Sequence, residues 1–405
     1  MKKPLLIIII ILVVILALPV INLIRWTFQE RKPMNIVILD KTSSTLDREK
    51  HRSLTWILTN ERFVKYVSDG DSIKSGTAKV APNKRNKGGY SFRKDYFGFF
   101  PTRPLREKGY NMNNIRLPEI PTLVKQNDVL YYADTYGVYM NDWYKGINKS
   151  RRSRKLYGGL NSSDFLFLND MHKGNKLCIL EYNTFDYPTA DLERYKTKQL
   201  LGIEFGGWTG KYFSSLDTTA KSNKDFPIWI TAMYRKEYRK PWTFTKPGVV
   251  FIKNNEIVVL EEGPLLKSGL PIIKTDSVYR SKYGIANNVP FEGWFDVIDP
   301  LKTKVVSTFN IETTPAGDTL LFENFLSKQF PAVITDTLNQ RTYYFSGDFA
   351  SNQVPYWGVR FQGIEKLKGI FYSDRQNDPR RFFWLYYRPL ILGIFNEYYD
   401  SIKAK

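Results

Sequence analysis

Two apolar runs, Asp128-Val-Leu-Tyr-Tyr-Ala-Asp134 and Leu177-Cys-Ile-Leu-Glu181, decide the fold of this chain. Each is about five apolar residues long and ends on a carboxylate, which is typical of a buried parallel strand closed by a polar residue. Asn35-Ile-Val-Ile-Leu-Asp40 and Thr342-Tyr-Tyr-Phe-Ser-Gly-Asp348 follow the same pattern nearer the two ends of the chain. We therefore predict an α/β protein with a parallel sheet whose strands lead to acids.

The acids that follow these strands are the first candidate site. The carboxyl ends of parallel strands meet at one edge of a sheet, where α/β proteins bind ligands. We expect Asp40, Asp134, Glu181 and Asp348 to converge there. Asp134 and Glu181 are the candidate catalytic pair, because glycoside hydrolysis needs two carboxyls roughly 5–10 Å apart. Alternatively, these acids cap helices or pair with Arg and Lys side chains.

Aromatic residues and one histidine complete the candidate site. Tyr136, Trp143 and Trp208 lie among polar and glycine residues in predicted loops near the same edge. Exposed rings there would stack on sugars, whereas buried rings would only fill the core. His51 lies at the front of a predicted helix just after the first strand. The candidate ligand-binding residues are Asp40, His51, Tyr136, Trp143, Trp208 and Asp348.

Cysteine and histidine are too rare for several kinds of chemistry. The chain has one cysteine and two histidines, which argues against a Cys-His or Ser-His-Asp machine and against a zinc site. Cys178 lies inside an apolar run without the glycines of a nucleophile elbow, so we predict a buried thiol. No phosphate loop or dinucleotide fingerprint is present. We predict no metal and no cofactor.

The N-terminus carries an apolar run, Leu5–Ile24. About twenty such residues can cross a bilayer as a helix, and we predict a transmembrane signal anchor over residues 1–25. A cleaved signal peptide is the main alternative, but Ala17-Leu18-Pro19 lacks the small-x-small cleavage pattern because Ile15 occupies the outer small position. The short N-terminal tail predicts a single-pass inner-membrane protein with an extracytoplasmic body, although the flanking charges are nearly balanced.

The formal charge of the 405-residue chain is +20. A basic surface favours anionic partners. Outside the cytoplasm these would be lipid head groups or an acidic envelope polymer, and we do not expect nucleic acid.

The patterning divides the chain into five segments. The α/β core is interrupted where the pattern changes to short alternating strands with turns. The predicted segments are the anchor at 1–25, the α/β core at 34–240, a β-rich insertion at 241–300, a return to the core at 301–352, and an aromatic-rich helical tail at 353–405.

The order of the strands resembles that of class I glutamine amidotransferase-like domains of flavodoxin type. The resemblance rests on Asn35–Asp40, Lys125–Tyr136, Gly174–Asn183 and Arg341–Phe349. It is nearest to the non-catalytic branches, such as the ThuA-like and β-galactosidase trimerisation domains. The catalytic branch has its cysteine in a glycine-flanked elbow after the third strand, where this chain has Glu181-Tyr-Asn-Thr184. The resemblance thus implies a flavodoxin-like fold with a ligand crevice but without the glutaminase triad.

These observations predict a membrane-anchored, extracytoplasmic protein that binds, or helps to assemble, an envelope carbohydrate or another anionic polymer without chemistry of its own. Two alternatives remain open. One is a carboxylate-based glycan hydrolase that uses Asp134 and Glu181. The other is a structural subunit of a membrane complex, in which the aromatic tail docks a membrane-protein partner.

Overall fold

The computed structural model of the protein describes residues 17, 19–66, 88–102, 105–144, 153–219, 226–267, 269–352, 354–375 and 378–404. Within these residues, no helix is both long enough and apolar enough to cross a membrane. Most of the predicted anchor, residues 1–16 and 18, lies outside the described residues, and the anchor stays a prediction.

The strands alternate with helices in the first half of the chain and follow one another more directly in the second half. They are β1 Lys32–Pro33, β2 Ile36–Asp40, β3 Phe63–Val64, β4 Phe97–Pro101, β5 Tyr110–Asn113, β6 Val129–Asp134, β7 Val138–Tyr139, β8 Lys155–Tyr157, β9 Leu177–Glu181, β10 Ile203–Phe213, β11 Gly248–Lys253, β12 Glu256–Glu261, β13 Ile272–Thr275, β14 Val289–Pro290, β15 Trp294–Pro300, β16 Thr303–Asn310, β17 Gln329–Asp336 and β18 Thr342–Phe345.

The helices cover the sheets, and one helix lies near each end of the described chain. They are α1 at 19–28, α2 Glu49–Asn60, α3 Ile120–Gln126, α4 Met140–Tyr144, α5 Ser162–Lys173, α6 Asp191–Leu201, α7 Ile228–Tyr238, α8 Ser277–Tyr283, α9 Pro315–Glu323, α10 Pro379–Phe382 and α11 Arg388–Lys403. A π-helical turn, Phe383–Tyr387, joins α10 to α11.

Local chemistry accounts for several helix ends. Asn161 and Asp164 form a capping box at the start of α5, in which each side chain accepts from the other residue's backbone N–H. Thr314 caps α9, with Pro315 at its first position. Helix α6 stops at Gly202, which adopts the left-handed conformation that glycine favours at this position.

A ten-stranded sheet forms the centre of the molecule, with the order β14-β13-β16-β17-β18-β9-β6-β2-β4-β5. The four predicted strands are confirmed as β2, β6, β9 and β18, and they lie parallel to one another in its middle. Strand β4 adds to β2 in the same direction. The carboxyl ends of these strands therefore lie on one edge, as expected.

The prediction of a parallel sheet is wrong for the outer strands, because β17, β16, β13, β14 and β5 pair antiparallel to their neighbours. Most of β17 is buried. A strand covered on both faces is an uninterrupted apolar run whichever way its neighbour runs, so its direction is not encoded in its pattern.

A second, antiparallel sheet has the order β12-β11-β10-β15. It joins the large sheet at the end of β18, where Phe295 forms a bridge with Gly347 and the Asp348 N–H donates to the Trp294 carbonyl at 2.9 Å. The strands of residues 241–300 are thus divided between the two sheets, since β13 and β14 extend the large one.

Helix α2 runs from the carboxyl edge of the central sheet back toward the opposite ends of the strands. It begins just after the carboxyl end of β2 and runs back for 12 residues, about 18 Å. At its far end the Asn60 carbonyl accepts a hydrogen bond from the Trp26 indole of α1 at 3.0 Å. The carboxyl edge of the sheet and the end of α1 therefore lie at opposite ends of α2.

Candidate functional site

The candidate site lies where β2 and β6 end side by side. Asp40 and Asp134 are register partners at the carboxyl ends of these two strands. The loop after β2 leads into α2, whose first turn supplies Lys50 and His51. Asp348 follows β18 and reaches the same place through Lys50. The structure therefore brings together three of the four predicted acids, and two of them, Asp134 and Asp348, bond the same lysine.

Asp40 is fully buried and organises the loop that follows β2. Its Oδ1 accepts from the backbone N–H groups of Thr42 and Ser43 at 2.9 and 3.0 Å. Its Oδ2 accepts from the Ser43 hydroxyl and lies 2.6 Å from His51 Nδ1. Burial alone would raise the pKa of Asp40, but the hydrogen bond and the charge of His51 outweigh it and lower that pKa.

His51 has no free ring nitrogen. Its Nε2 lies 2.8 Å from the Phe92 carbonyl, which can only accept, so Nε2 carries a hydrogen. Its Nδ1 faces the ionised Asp40, and the imidazole is fully buried. Ser43 and His51 both bond Asp40. In a catalytic triad the Nε2 of the histidine faces the nucleophile, but Nε2 of His51 bonds a backbone carbonyl instead. These three residues hold the loop in place.

Lys50 joins two carboxylates that are far apart in the chain. Its Nζ lies 2.5 Å from Asp348 Oδ2 and 3.2 Å from Asp134 Oδ2. Its side chain is 22 % exposed, whereas those of the two acids are 7 % and 2 % exposed. Burial opposes the lysine charge, but the two carboxylates outweigh it and raise the pKa of Lys50. Lys50 is therefore held as a cation and is not poised as a nucleophile.

Asp134 is held tightly at both oxygens. Its Oδ1 accepts from the Thr42 hydroxyl and from the Tyr136 N–H, each at 2.7 Å, and its Oδ2 bonds Lys50. Burial, with a contribution from the Asp348 charge, raises the pKa of Asp134 to about 6 against the opposing effect of Lys50. Asp134 thus titrates near neutral pH, but no side of it is open for a substrate.

Glu181, like Asp40, is fully buried. Its Oε1 accepts from the Tyr131 hydroxyl and its Oε2 from the Ala350 N–H at 2.9 Å. The Tyr131 hydroxyl also lies 2.9 Å from that of Tyr387 in the π-helical turn. Burial raises the pKa of Glu181 well above its usual range. The pair Asp134 and Glu181 does not line an open pocket, which glycoside hydrolysis requires.

Two of the candidate ligand-binding aromatics, Trp143 and Trp208, are buried, so the alternative in which the rings fill the core applies to them. Trp143 is 2 % exposed and packs edge-on against Phe99, while its indole N–H donates to a backbone carbonyl. Trp208 is 4 % exposed within β10, with the Lys253 ammonium over its ring. Tyr136 is half-buried and stays beside Asp134 through its backbone. Polar neighbours in sequence misled the prediction, because adjacent residues face different sides both on helix α4, which holds Trp143, and on strand β10, which holds Trp208.

An open pocket adjoins the Lys50 cluster on the side of Asp348. Its volume is about 50 Å³, room for roughly four water molecules. Asp348, Glu292 and Asp378 line it together with the rings of Phe291 and Phe382. The pocket is therefore acidic on one side and apolar on the other.

Asp348 lines this pocket and keeps one carboxylate oxygen buried. The residue is 8 % exposed, and its Oδ1 has no hydrogen-bond partner among the residues that the structure describes. A buried acceptor without a partner is costly, and such exceptions call for an explanation. The other two acids differ. Asp378 bonds Arg380 at 2.7 Å, which lowers its pKa, whereas burial raises the pKa of Glu292.

No group of three or more potential metal-ligating side chains occurs within the described ranges. Cys178 is a free thiol that is fully buried inside β9, and burial raises its pKa. A thiol of this kind is inert.

Sequence reasoning missed the two lysines that organise the site. Lys41 is 2 % exposed on its side chain, bonds Asp164, and donates to the Gly159 carbonyl at 2.9 Å. This buried ion pair ties the loop after β2 to the start of α5. Only the positions of these lysines in the sequence could have indicated them, since Lys41 directly follows an acid at a strand end and Lys50 lies in the first turn of the next helix. Neither position reveals a partner distant in sequence.

The chain matches no protein-family model, and no curated protein and no solved structure is significantly similar to it.

Proposed function

We propose that the protein is a single-pass, inner-membrane-anchored, extracytoplasmic binding protein that holds a carbohydrate in the pocket beside Asp348 and performs no chemistry on it. The observation that carries the proposal is that Asp348 lines the pocket while its buried Oδ1 has no partner among the described residues. A ligand hydroxyl would donate to this oxygen and satisfy it.

The shape and chemistry of the pocket favour a sugar over an acidic polymer. Carbohydrate sites combine carboxylate acceptors for hydroxyls with aromatic rings for the apolar face of the sugar, and Asp348 lies here beside Phe291 and Phe382. A volume of about 50 Å³ admits the edge of one sugar unit. Asp348 and Glu292 would repel an anionic ligand at this pocket, although the whole chain carries a charge of +20.

The arrangement of the acids supports binding rather than turnover. A hydrolase needs a carboxyl that can approach the scissile bond. Asp40 is occupied by His51 and the loop, Asp134 by Thr42 and Lys50, and Glu181 by Tyr131. Each of these contacts fixes an acid in a structural role.

The order of the parallel strands supports the proposed flavodoxin-type, amidotransferase-like core. Strands β4-β2-β6-β9-β18 follow the chain order 2-1-3-4-5 of flavodoxin-like sheets. In that topology the ligand site is at the switch point between the first and third strands. Asp40 and Asp134 end those two strands here. The glycine-flanked elbow of the catalytic branch is replaced after β9 by Glu181-Tyr-Asn-Thr184, which supports placement in a non-catalytic branch.

The proposed anchor is supported by the apolar run at Leu5–Ile24. The Trp26 indole, just after this run, is bonded to the body at Asn60. A tryptophan at this point suits the boundary between lipid and water.

Titration calorimetry of the detergent-solubilised full chain with neutral and acidic oligosaccharides tests the proposal. Asp348→Asn keeps one oxygen for Lys50 but presents an amide donor to the pocket. We expect it to weaken binding of the tightest neutral ligand at least about tenfold, since an unmatched polar contact is strongly disfavoured. The matched control is Asp318→Asn, because Asp318 is exposed and pairs with Lys328 elsewhere. Unchanged affinity in Asp348→Asn, or preference for acidic ligands, would overturn the proposal.

A further inference from the structure

An exposed apolar surface is formed by residues 356–370, and we call it the basal face. Trp357 is 67 % exposed, Leu367 is 49 % exposed and Ile370 is 78 % exposed. These side chains lie on two short 3₁₀ turns, Tyr356–Gly358 and Ile364–Ile370. The Trp357 ring lies 5.7 Å from that of Phe371, the neighbour of Ile370, so the two turns are adjacent. Large apolar side chains grouped in this way mark an interaction surface.

The basal face adjoins the end of helix α1. The Asn60 amide donates to the carbonyls of Val359 and Phe361 at 3.0 Å each, and the Asn60 carbonyl accepts from the Trp26 indole. The Arg360 guanidinium lies 5.6 Å from the Trp26 ring. One residue of α2 therefore joins the basal face to the point where α1 enters the body.

Helix α1 is bonded to the body near Trp26, and several apolar side chains along the helix are exposed. Arg62 donates to the Trp26 carbonyl at 2.8 Å, and its guanidinium lies 4.9 Å from the Trp26 ring. Ile21 and Ile24 are each 50 % exposed, and Phe28 is 84 % exposed. The apolar surface of α1 and that of the basal face thus meet at Trp26.

The charges of the basal face fit an anionic lipid surface. Arg360 and Lys366 are exposed. The two acids nearby already have cationic partners, because Arg388 bonds Glu61 at 2.8 Å and Glu365 at 3.4 Å, and the Lys32 ammonium lies 3.8 Å from Glu61. Basic side chains near a membrane attract anionic head groups, and tryptophan prefers the interfacial layer.

We infer that the basal face rests on the bilayer, with Trp357, Leu367 and Ile370 in the interfacial layer and Arg360 and Lys366 against anionic head groups. The inference rests on the proposed anchoring, because that anchor brings the end of α1 to the membrane. It adds a second, peripheral attachment that fixes the orientation of the body.

Spin-label accessibility in the full chain, reconstituted into vesicles, tests this attachment. Ile370→Cys is labelled with a nitroxide, and its collision rates with oxygen and with a water-soluble nickel chelate are compared. Phe322→Cys is the matched control, since Phe322 is 82 % exposed on α9, which is joined to strands β16 and β17 at the carboxyl edge. The native Cys178 is buried, so the unsubstituted protein is the labelling blank.

We expect the ratio of oxygen to nickel collisions at position 370 to be several-fold higher than at position 322 in vesicles of phosphatidylcholine with phosphatidylglycerol. In phosphatidylcholine alone the ratio at position 370 should fall, and Lys366→Glu should lower it in the mixed vesicles as well. Equal ratios at positions 370 and 322 would overturn the inference and would leave a protein partner as the occupant. An equal ratio at position 370 in both kinds of vesicle would overturn the role of anionic lipid.

The same samples test the proposed anchor separately. Protein that stays with the vesicles after an alkaline carbonate wash is anchored, whatever the spin label reports. Loss of the protein in that wash would contradict the anchor itself, and the accessibility at position 370 would then show whether the basal face binds lipid alone.

Discussion

Lys50 and Asp348 are separated by 298 positions in the chain, yet Nζ of one lies 2.5 Å from Oδ2 of the other. The contact joins the first turn of α2 to the segment after β18. Because Lys50 also bonds Asp134, it binds three parts of the fold at the carboxyl edge of the sheet. The other oxygen of Asp348, Oδ1, is buried without a partner among the described residues.

Lys50→Met should destabilise the protein because it leaves two carboxylates buried without a cation. Breaking a buried ion pair in this way costs about 3–5 kcal/mol, and we expect about 3 kcal/mol here at pH 7, since Lys50 is partly exposed. The free energy of unfolding from urea titrations measures the change. Lys328→Met, at an exposed pair with Asp318, is the control and should leave stability unchanged. An equal effect of the two variants would mean that the Lys50 cluster is not structural.

Asp134 should make stability depend on pH below neutrality. Its pKa is raised from 3.8 to about 6, so the folded state holds a proton that the unfolded state has released. Its stabilising contribution is complete below pH 3.8 and is lost as the pH rises through 6, by about 2–3 kcal/mol. The difference in unfolding free energy between the native protein and Asp134→Asn, measured from pH 4 to 7, should fall by that amount. A constant difference would contradict the shift.

Glu181→Gln should be tolerated and Glu181→Ala should not. Burial raises the pKa of Glu181 and so favours the neutral acid, which glutamine closely imitates. We expect Glu181→Gln to lower the free energy of unfolding by less than about 1 kcal/mol at pH 7. Glu181→Ala removes the acceptor of the Tyr131 hydroxyl and of the Ala350 N–H, and we expect it to cost about 2–4 kcal/mol. Urea titrations of the two variants give the comparison. A Gln variant as unstable as the Ala variant would show that the acid is ionised.

His51→Leu should be strongly destabilising at neutral pH because it leaves the Asp40 carboxylate buried without its partner. We expect a loss of about 3–5 kcal/mol at pH 7. The pKa of Asp40 is lowered in the fold, so its contribution is present above its usual value of 3.8 and disappears as the pH falls through its folded pKa. The penalty should therefore shrink in acid. His172→Leu, at a half-buried histidine that bonds Thr342, is the control and should cost less.

The sequence predicted strands correctly where every residue of the strand is buried. The runs that end at Asp40, Asp134 and Glu181 correspond to β2, β6 and β9, because a central strand must be apolar on both faces. Their acids were correctly placed at one edge of the sheet. The direction of β17 was not predictable, since an antiparallel strand buried on both faces has the same pattern.

The contents of the site were less predictable than its place. Whether an acid is open or occupied depends on partners from distant parts of the chain, as with Lys50 and Asp348 or Tyr131 and Glu181. The burial of Trp143 likewise depends on Phe99, which comes from another strand. Local sequence carries no record of such contacts. It therefore suggested a catalytic pair, Asp134 and Glu181, where the structure has two buried acids whose oxygens are already bonded.

Binding without turnover at the Asp348 pocket is tested most directly by recovering the ligand. The full chain is incubated to equilibrium with the neutral oligosaccharide that it binds most tightly, and the sugar is then analysed by mass spectrometry. We predict that the oligosaccharide is recovered intact, with binding that Asp348→Asn weakens. Cleaved products that form with the native protein and disappear with Asp134→Asn or Glu181→Gln would contradict the proposal and identify a glycan hydrolase.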